Sequence, residues 1–219
     1  MIDQFLSTNN YMAAFQLKQI YSLEEYFELE KNTEEKLEFW DGNVWSMSGA
    51  RFAHNLIMIN LSTELGIKLR EKGCIVLGSE MRIKVPTYPP YRYPDLTALC
   101  GKPETEMISG LEMLVNPQLI VEVLSDSTEA FDRGDKFSYY KSIESFSEYL
   151  LVAQHRPHVT QFVKHGDGFW ANFEYNDLND FVELKSVPCS LQLSSIYRNV
   201  SFPEPNLSGS ETGQNTVQK

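Results

Sequence analysis

Residues 118–125 read Gln-Leu-Ile-Val-Glu-Val-Leu-Ser, an apolar run broken by one carboxylate, Glu122. Extended, the run turns Leu119, Val121 and Val123 to one face and Ile120, Glu122 and Leu124 to the other, so neither face suits water. This pattern predicts a central strand covered on both sides. A second run, Glu-Tyr-Leu-Leu-Val-Ala over 148–153, has the same character and follows a helical stretch in which Phe137, Tyr140 and Ile143 or Glu144 recur at spacings of three and four. Strand, helix and strand at this separation imply a right-handed parallel crossover. Between the first run and the helix, Ser125-Asp-Ser-Thr-Glu offers several N-caps.

Elsewhere the pattern alternates between helix and hairpin. Ser22-Leu-Glu-Glu25 is a capping-box sequence that opens a short helix to about Glu30. Residues 36–40 and 43–47 flank Asp41-Gly42, a dipeptide favoured in tight hairpin turns. The longest helical pattern runs over 51–72, with Phe52, Leu56 and Ile59 on one stripe and Met58, Leu61, Leu65 and Leu69 on another. Two broad stripes predict a well-covered helix. Residues 74–76 and 80–85 are extended, the latter alternating Met81, Ile83 and Val85 with Glu80, Arg82 and Lys84. A proline- and tyrosine-rich turn over 86–94 leads to a strand over 95–100, and together these segments predict a second, longer hairpin. Residues 101–116 read as a connector with an amphipathic stretch at 107–114. Further on, 158–164 and 169–174 form a hairpin around Gly166-Asp-Gly168, 181–186 adds a strand and 194–200 a short helix.

Composition bounds this picture. With 219 residues, 42% of them hydrophobic, one domain over 21–202 is expected, with an N-terminal extension over 1–20. Residues 203–219 hold one Leu and one Val among polar residues and read as a disordered tail. The net charge of −11 opposes nonspecific polyanion binding, so any nucleic-acid site has to be local and metal-assisted. Arg51, Arg82, Lys84, Arg92 and Arg133 lie in segments that could form such a patch. Cys74, Cys100 and Cys189 show no zinc spacing and an odd count, and are expected to be reduced core thiols. With no basic leader region and no membrane-length apolar run, a cytoplasmic protein away from the membrane is expected.

The candidate chemistry is acidic. Asp95 begins a strand directly after Tyr93-Pro94, and Glu122 lies in the next clear sheet element, a spacing that permits neighbouring strands. Two carboxylates converging at a sheet edge suit Mg²⁺ or Mn²⁺, and such a cation would compensate a buried Glu122. Plainer readings stand beside this one: Asp95 as a strand-start Asx turn, and Glu122 as a protonated acid or one paired with a core Arg or Lys. Glu38, opposite Leu37 and Phe39, is a solvated hairpin charge or an outer acid of the site. His54 is a core histidine bonded to backbone or a group that contacts phosphate or takes part in catalysis, and Glu80 is a solvated strand end or a further acid. No GxSxG, HExxH, Walker loop or GxGxxG at a strand-helix turn occurs, and His155-Arg-Pro-His158 reads as a turn.

The order of helix, hairpin with Tyr93-Pro94-Asp95, strand with Val121-Glu122-Val123, helix and strand resembles the PD-(D/E)XK or restriction-endonuclease-like superfamily. Glu38 with Asp41-Gly42, His54, Glu122-Val-Leu-Ser125 with Ser127-Thr128, and Asp132-Arg-Gly-Asp-Lys136 with Tyr140 narrow the resemblance to the Uma-type endonuclease family, over about 21–197. That resemblance implies an α/β (α+β) fold, a mixed β-sheet core flanked by helices with extra β-hairpins. It also implies a Mg²⁺- or Mn²⁺-dependent endonuclease acting on nucleic acid, DNA first of all, as a homodimer, with Asp95 and Glu122 holding the metal. The superfamily's lysine is absent from the strand, where Leu124 stands two residues after Glu122. The resemblance carries its role to Lys136, 14 residues after Glu122, whose long stem can return to the site. A surface Lys136 paired with Asp132 is the alternative. The displaced lysine and the acidic balance favour a second class, a catalytically idle nuclease scaffold serving as an interaction or regulatory module.

Overall fold

In the computed structural model the capping box of Ser22-Leu-Glu-Glu25 is closed. Ser22 Oγ accepts from Glu25 N at 3.2 Å, and Ser22 N donates to Glu25 Oε2 at 2.9 Å, opening α1 (Leu23–Asn32). The structure describes residues 20–40, 42–46, 51–87 and 91–202. The expected extension up to Gln19, the tail from Pro203, Asp41 and the tip of the tyrosine-rich turn lie outside these residues.

The hairpin of β1 (Leu37–Trp40) and β2 (Asn43–Ser46) precedes α2 (Phe52–Leu69), β3 (Cys74–Gly78), β4 (Arg82–Lys84), β5 (Tyr91–Arg92) and β6 (Leu96–Cys100). Next come β7 (Thr105–Ile108), β8 (Leu111–Leu114) and β9 (Leu119–Leu124), then a helical crossover of α3 (Glu129–Phe131), a π turn (Asp132–Lys136) and α4 (Phe137–Tyr140). The chain ends with β10 (Glu148–Ala153), β11 (Val159–Lys164), β12 (Trp170–Tyr175), β13 (Phe181–Glu183), β14 (Ser190–Gln192) and α5 (Leu193–Ile196).

The main sheet has the order β12-β11-β10-β9-β6-β3 and is mixed: β9 and β10 are parallel, and every other pair is antiparallel. β9 is buried along its whole length, and its two faces divide as the alternation predicts. Leu119, Val121 and Val123 pack with Ile57, Leu61, Leu65 and Leu69 of α2, whereas Ile120 and Leu124 pack with Phe137, Tyr140, Phe146 and Tyr149. A third cluster joins Tyr26 and Phe27 of α1 to Phe39, Val44, Tyr91 and Tyr93.

Several local expectations are corrected. The strand carrying 96–100 pairs with β3 and β9, while β4 leaves for a small sheet of order β5-β4-β8-β7. Alternation shows that 80–85 is extended but carries no information about its partner. The stretch 107–114 is a β-hairpin, because Ser109 and Gly110 take φ of +52° and +83° and make the tight turn. Only one stripe of α2 is covered, and Phe52 and Ile59 remain 79% and 65% exposed. Cys74 and Cys100 stand opposite each other in the β3–β6 register and form a disulfide, leaving Cys189 as a free, buried thiol. A separation of 26 residues hid a pair that antiparallel register makes neighbours. Among the described residues no helix is long and apolar enough to cross a membrane.

Candidate active site

Asp95 stands one residue before β6. The last rung of the β6–β9 ladder pairs Leu96 with Val121, so the next position sets Asp95 beside Glu122. Asp95 Oδ2 accepts from Val123 N at 2.7 Å, which continues the ladder through a side chain and orients the carboxylate. Pro94 keeps the preceding residue extended. The turn is held from behind: the Tyr93 hydroxyl donates to Glu30 of α1, and Arg82 Nη2 donates to the same carboxylate at 2.9 Å. From the first turn of α2, His54 Nε2 reaches within 3.3 Å of Asp95 Oδ2, while His54 Nδ1 is buried without a hydrogen-bond partner among the described residues.

Glu122 is 3% exposed and its Oε1 meets two donors, the Tyr140 hydroxyl at 2.8 Å and Lys136 Nζ at 2.8 Å. Lys136 Nζ also lies 3.2 Å from Asp132 Oδ1. Both Asp132 and Lys136 come from the π turn, a wider helical turn of the kind that recurs at functional sites, and the Tyr149 hydroxyl bonds the Asp132 carbonyl at 3.1 Å. Lys136 therefore does pair with Asp132, but in the interior and with Glu122 as well.

Glu148 supplies the contrast. It too is a buried strand glutamate, yet it accepts from Gln161 Nε2 at 2.5 Å, Lys185 N at 2.9 Å, Ser186 N at 2.8 Å and Ser186 Oγ at 2.6 Å. Neutral donors saturate Glu148, which pins the chain after β13 to the sheet. Around Glu122 the acids instead outnumber the cation. Burial pushes the Glu122 carboxyl up to about 8 despite the attraction of Lys136, with Asp132 and Asp95 adding to the rise. Burial alone would lower the Lys136 ammonium, but Glu122, Asp132 and Glu38 together hold it well above its ordinary value. Burial likewise raises Asp132, against the pull of Lys136.

Asp95, Glu122, Lys136, His54 and Glu38 are thus brought into one neighbourhood. Glu38 Oε1 is buried without a hydrogen-bond partner among the described residues, and its charge acts on Lys136, Asp132 and Tyr140. Glu80 is not part of the group: it lies in the turn before β4, is 85% exposed and pairs with Lys36. Its expected place beside Asp95 fails because β4 departs from the main sheet. Asp132 was visible in the sequence as the residue four before Lys136, a spacing that an exposed helix pair shares. The five cations expected to form a patch are each engaged. Arg51 meets Asp126 at 3.0 Å, Arg82 meets Glu30 at 2.9 Å, Lys84 meets Glu106 at 2.5 Å and Arg133 meets Glu129 at 2.8 Å. Arg92 is buried against the rings of Phe131 and Tyr139 and donates to the Phe39 carbonyl at 2.9 Å.

The donor set fits a hard divalent cation. Mg²⁺ keeps several waters and takes one or two protein carboxylates, and Asp95 and Glu122 offer such a pair at one strand end. A buried Glu38 oxygen with no hydrogen-bond partner among the described residues, and several acids around one lysine, leave the positive charge short. Among the described residues no three His, Cys, Asp or Glu side chains already converge as a cage, so water and backbone oxygens would have to complete the shell.

A mixed sheet with a glutamate in one strand and an aspartate at the start of its neighbour, under a helical crossover that turns a lysine back onto the glutamate, fits a restriction-endonuclease-like fold. The chain belongs to the Uma2 family, described as "Putative restriction endonuclease", whose pattern matches residues 23–195. Two relatives from Synechocystis sp. are uncharacterised proteins. One, slr1290, is 34% identical over 83% of this chain and 93% of its own; the other, sll1609, is 33% identical over 75% and 92%. A crystal structure from Anabaena variabilis, described as "a putative nuclease belonging to DUF820", shares the fold with a TM-score of 0.63 at 13% identity, covering 81% of this chain and 97% of its own.

Proposed function

We propose that the protein is a Mg²⁺-dependent endonuclease that hydrolyses phosphodiester bonds of nucleic acid, DNA first of all, at Asp95, Glu122 and Lys136. The observation that carries this reading is the register that sets Asp95 beside Glu122, with Lys136 Nζ 2.8 Å from the glutamate. Asp95 and Glu122 would hold the metal, with Glu38 as an outer acid. Once bound, the cation supplies charge stabilisation at the scissile phosphate and a more acidic water. Asp95 and His54 are the accessible rim, with side chains 17% and 15% exposed, and the exposed part of the His54 ring serves a phosphate contact. Lys136 keeps an ammonium in a water-poor interior, where a fixed positive charge acts strongly on a developing oxyanion. The family description and the description of the Anabaena protein as a nuclease support the substrate class. Cutting two strands suits a homodimer, and a cytoplasmic protein has DNA within reach.

Nicking of supercoiled plasmid in Mg²⁺ or Mn²⁺ tests the reading. Wild type is expected to cleave, and Asp95→Ala and Glu122→Ala to lose cleavage while keeping the fold; equal cleavage by Glu122→Ala overturns it.

A second reading, an idle nuclease scaffold with an interaction or regulatory role, is favoured by Lys136 sitting on Glu122 and by the engagement of Arg51, Arg82, Lys84 and Arg133 with carboxylates. Under it, Mn²⁺ leaves the melting temperature of the wild type unchanged.

A further inference from the structure

We propose that Asp132 is a positioning residue that gives Lys136 a second seat, so that the lysine can release Glu122 to a cation without losing its counter-charge. The proposal rests on the metal reading above and concerns how the chain admits the ion. Lys136 Nζ lies 2.8 Å from Glu122 Oε1 and 3.2 Å from Asp132 Oδ1, and all three residues are buried. The ammonium therefore occupies one side of the carboxylate that a metal needs, and two cations crowded onto one buried oxygen repel strongly.

With Glu122 as its only partner, a displaced Lys136 would become an unpaired buried charge, a strongly unfavourable state. Asp132 removes that obstacle. Its Oδ1 is already 3.2 Å from Nζ, in ion-pair range, and no other donor occupies that oxygen among the described residues, so a second acceptor stands beside the lysine. The seat itself is held. The Thr128 side chain bonds the Asp132 side chain, and the Tyr149 hydroxyl bonds its carbonyl at 3.1 Å, so the ammonium can shift on its flexible stem while the carboxylate stays. The lysine and its second seat belong to the same π turn, so no rearrangement of the sheet is required.

The test is a double-mutant cycle on Mn²⁺ affinity, measured by titration calorimetry on the full chain and independent of turnover. Asp132→Asn is expected to weaken Mn²⁺ binding about tenfold in the wild-type background, and by less than about twofold where Lys136 is replaced by Met, because no lysine then needs a seat. Asp132→Glu, which keeps an acceptor, restores most of the affinity. Equal weakening in both backgrounds means that Asp132 acts through its charge alone and overturns the proposal, as does unchanged affinity of Asp132→Asn. Should Asp132→Asn fail to fold, Thr128→Val loosens the seat without altering charge. It should weaken binding only where Lys136 is present, and unchanged affinity overturns the proposal. A wild type that binds no Mn²⁺ overturns the metal reading itself.

Discussion

The Tyr140 hydroxyl donates to Glu122 Oε1 at 2.8 Å, across 18 residues of sequence, and shares that oxygen with Lys136. Tyr140 is fully buried among Phe146 and Tyr149, so its ring is fixed by packing and its hydroxyl by the acid. Tyr140→Phe keeps the packing and removes the donor. We expect a loss of about 1–3 kcal/mol in urea or thermal unfolding, the cost of leaving a buried acceptor short of one bond.

Mn²⁺ should raise the melting temperature of the wild type and leave Asp95→Ala and Glu122→Ala unmoved. At ten times its Kd a ligand adds roughly 1.4 kcal/mol, a shift of a few degrees for a domain of this size. The same shift in all three proteins would mean that the ion binds elsewhere.

Without metal, stability should fall as pH rises. Burial pushes Glu122 up to about 8, so between the ordinary carboxylate range and that value the folded chain holds a proton that the unfolded chain has lost. The acid therefore favours folding below its unfolded value, and that contribution drains away as pH climbs to about 8, by up to about 1.4 kcal/mol per pH unit. Chemical denaturation at a series of pH values reads the slope, which Glu122→Gln should flatten.

Lys136→Ala leaves Glu122 and Asp132 facing each other without their cation. Breaking a buried pair in this way costs about 3–5 kcal/mol, so the metal-free variant should melt far below the wild type. Mn²⁺ should recover part of the loss by replacing the missing charge. Turnover should drop by orders of magnitude even in the metal-loaded variant; an unchanged rate would return the lysine to a structural role.

Reduction should destabilise the protein. The Cys74–Cys100 bridge closes a loop of 26 residues, for which chain entropy gives about 3.5 kcal/mol. A thiol reductant, or Cys74→Ser, should lower the melting temperature by several degrees. Counting free thiols in freshly isolated protein checks the premise: one reactive group on unfolding fits the bridge, and three fit a chain kept reduced in the cytoplasm.

How far the sequence could be read depended on the kind of information each feature needs. The two-sided burial of Leu119 to Leu124 follows from composition and alternation within one segment, and it is seen in the fold. So is the capping box, which is local. The partner of 80–85 and the pairing of Cys74 with Cys100 depend on register between distant strands, which no single segment encodes. Within the candidate site, Asp95 and Glu122 stood out because a strand-start aspartate and a mid-strand glutamate are conspicuous. Asp132 did not, because its spacing from Lys136 is the same whether the helix face is wet or buried. Glu80 looked acidic and well placed only as long as its strand was assumed to accompany Asp95.

β9 and β10 are parallel neighbours, and the link between them carries Asp132, Lys136 and Tyr140. Lys136 can meet Glu122 only when that link has laid itself back over the strand it left, and β10 can pair with β9 only by the same closure. During synthesis Glu122 is made before Lys136, so the charged centre can close only after the link has been made and has folded back over β9. Its assembly waits on a nonlocal contact, the slow kind in folding, so the acid enters the interior together with the lysine that accompanies it.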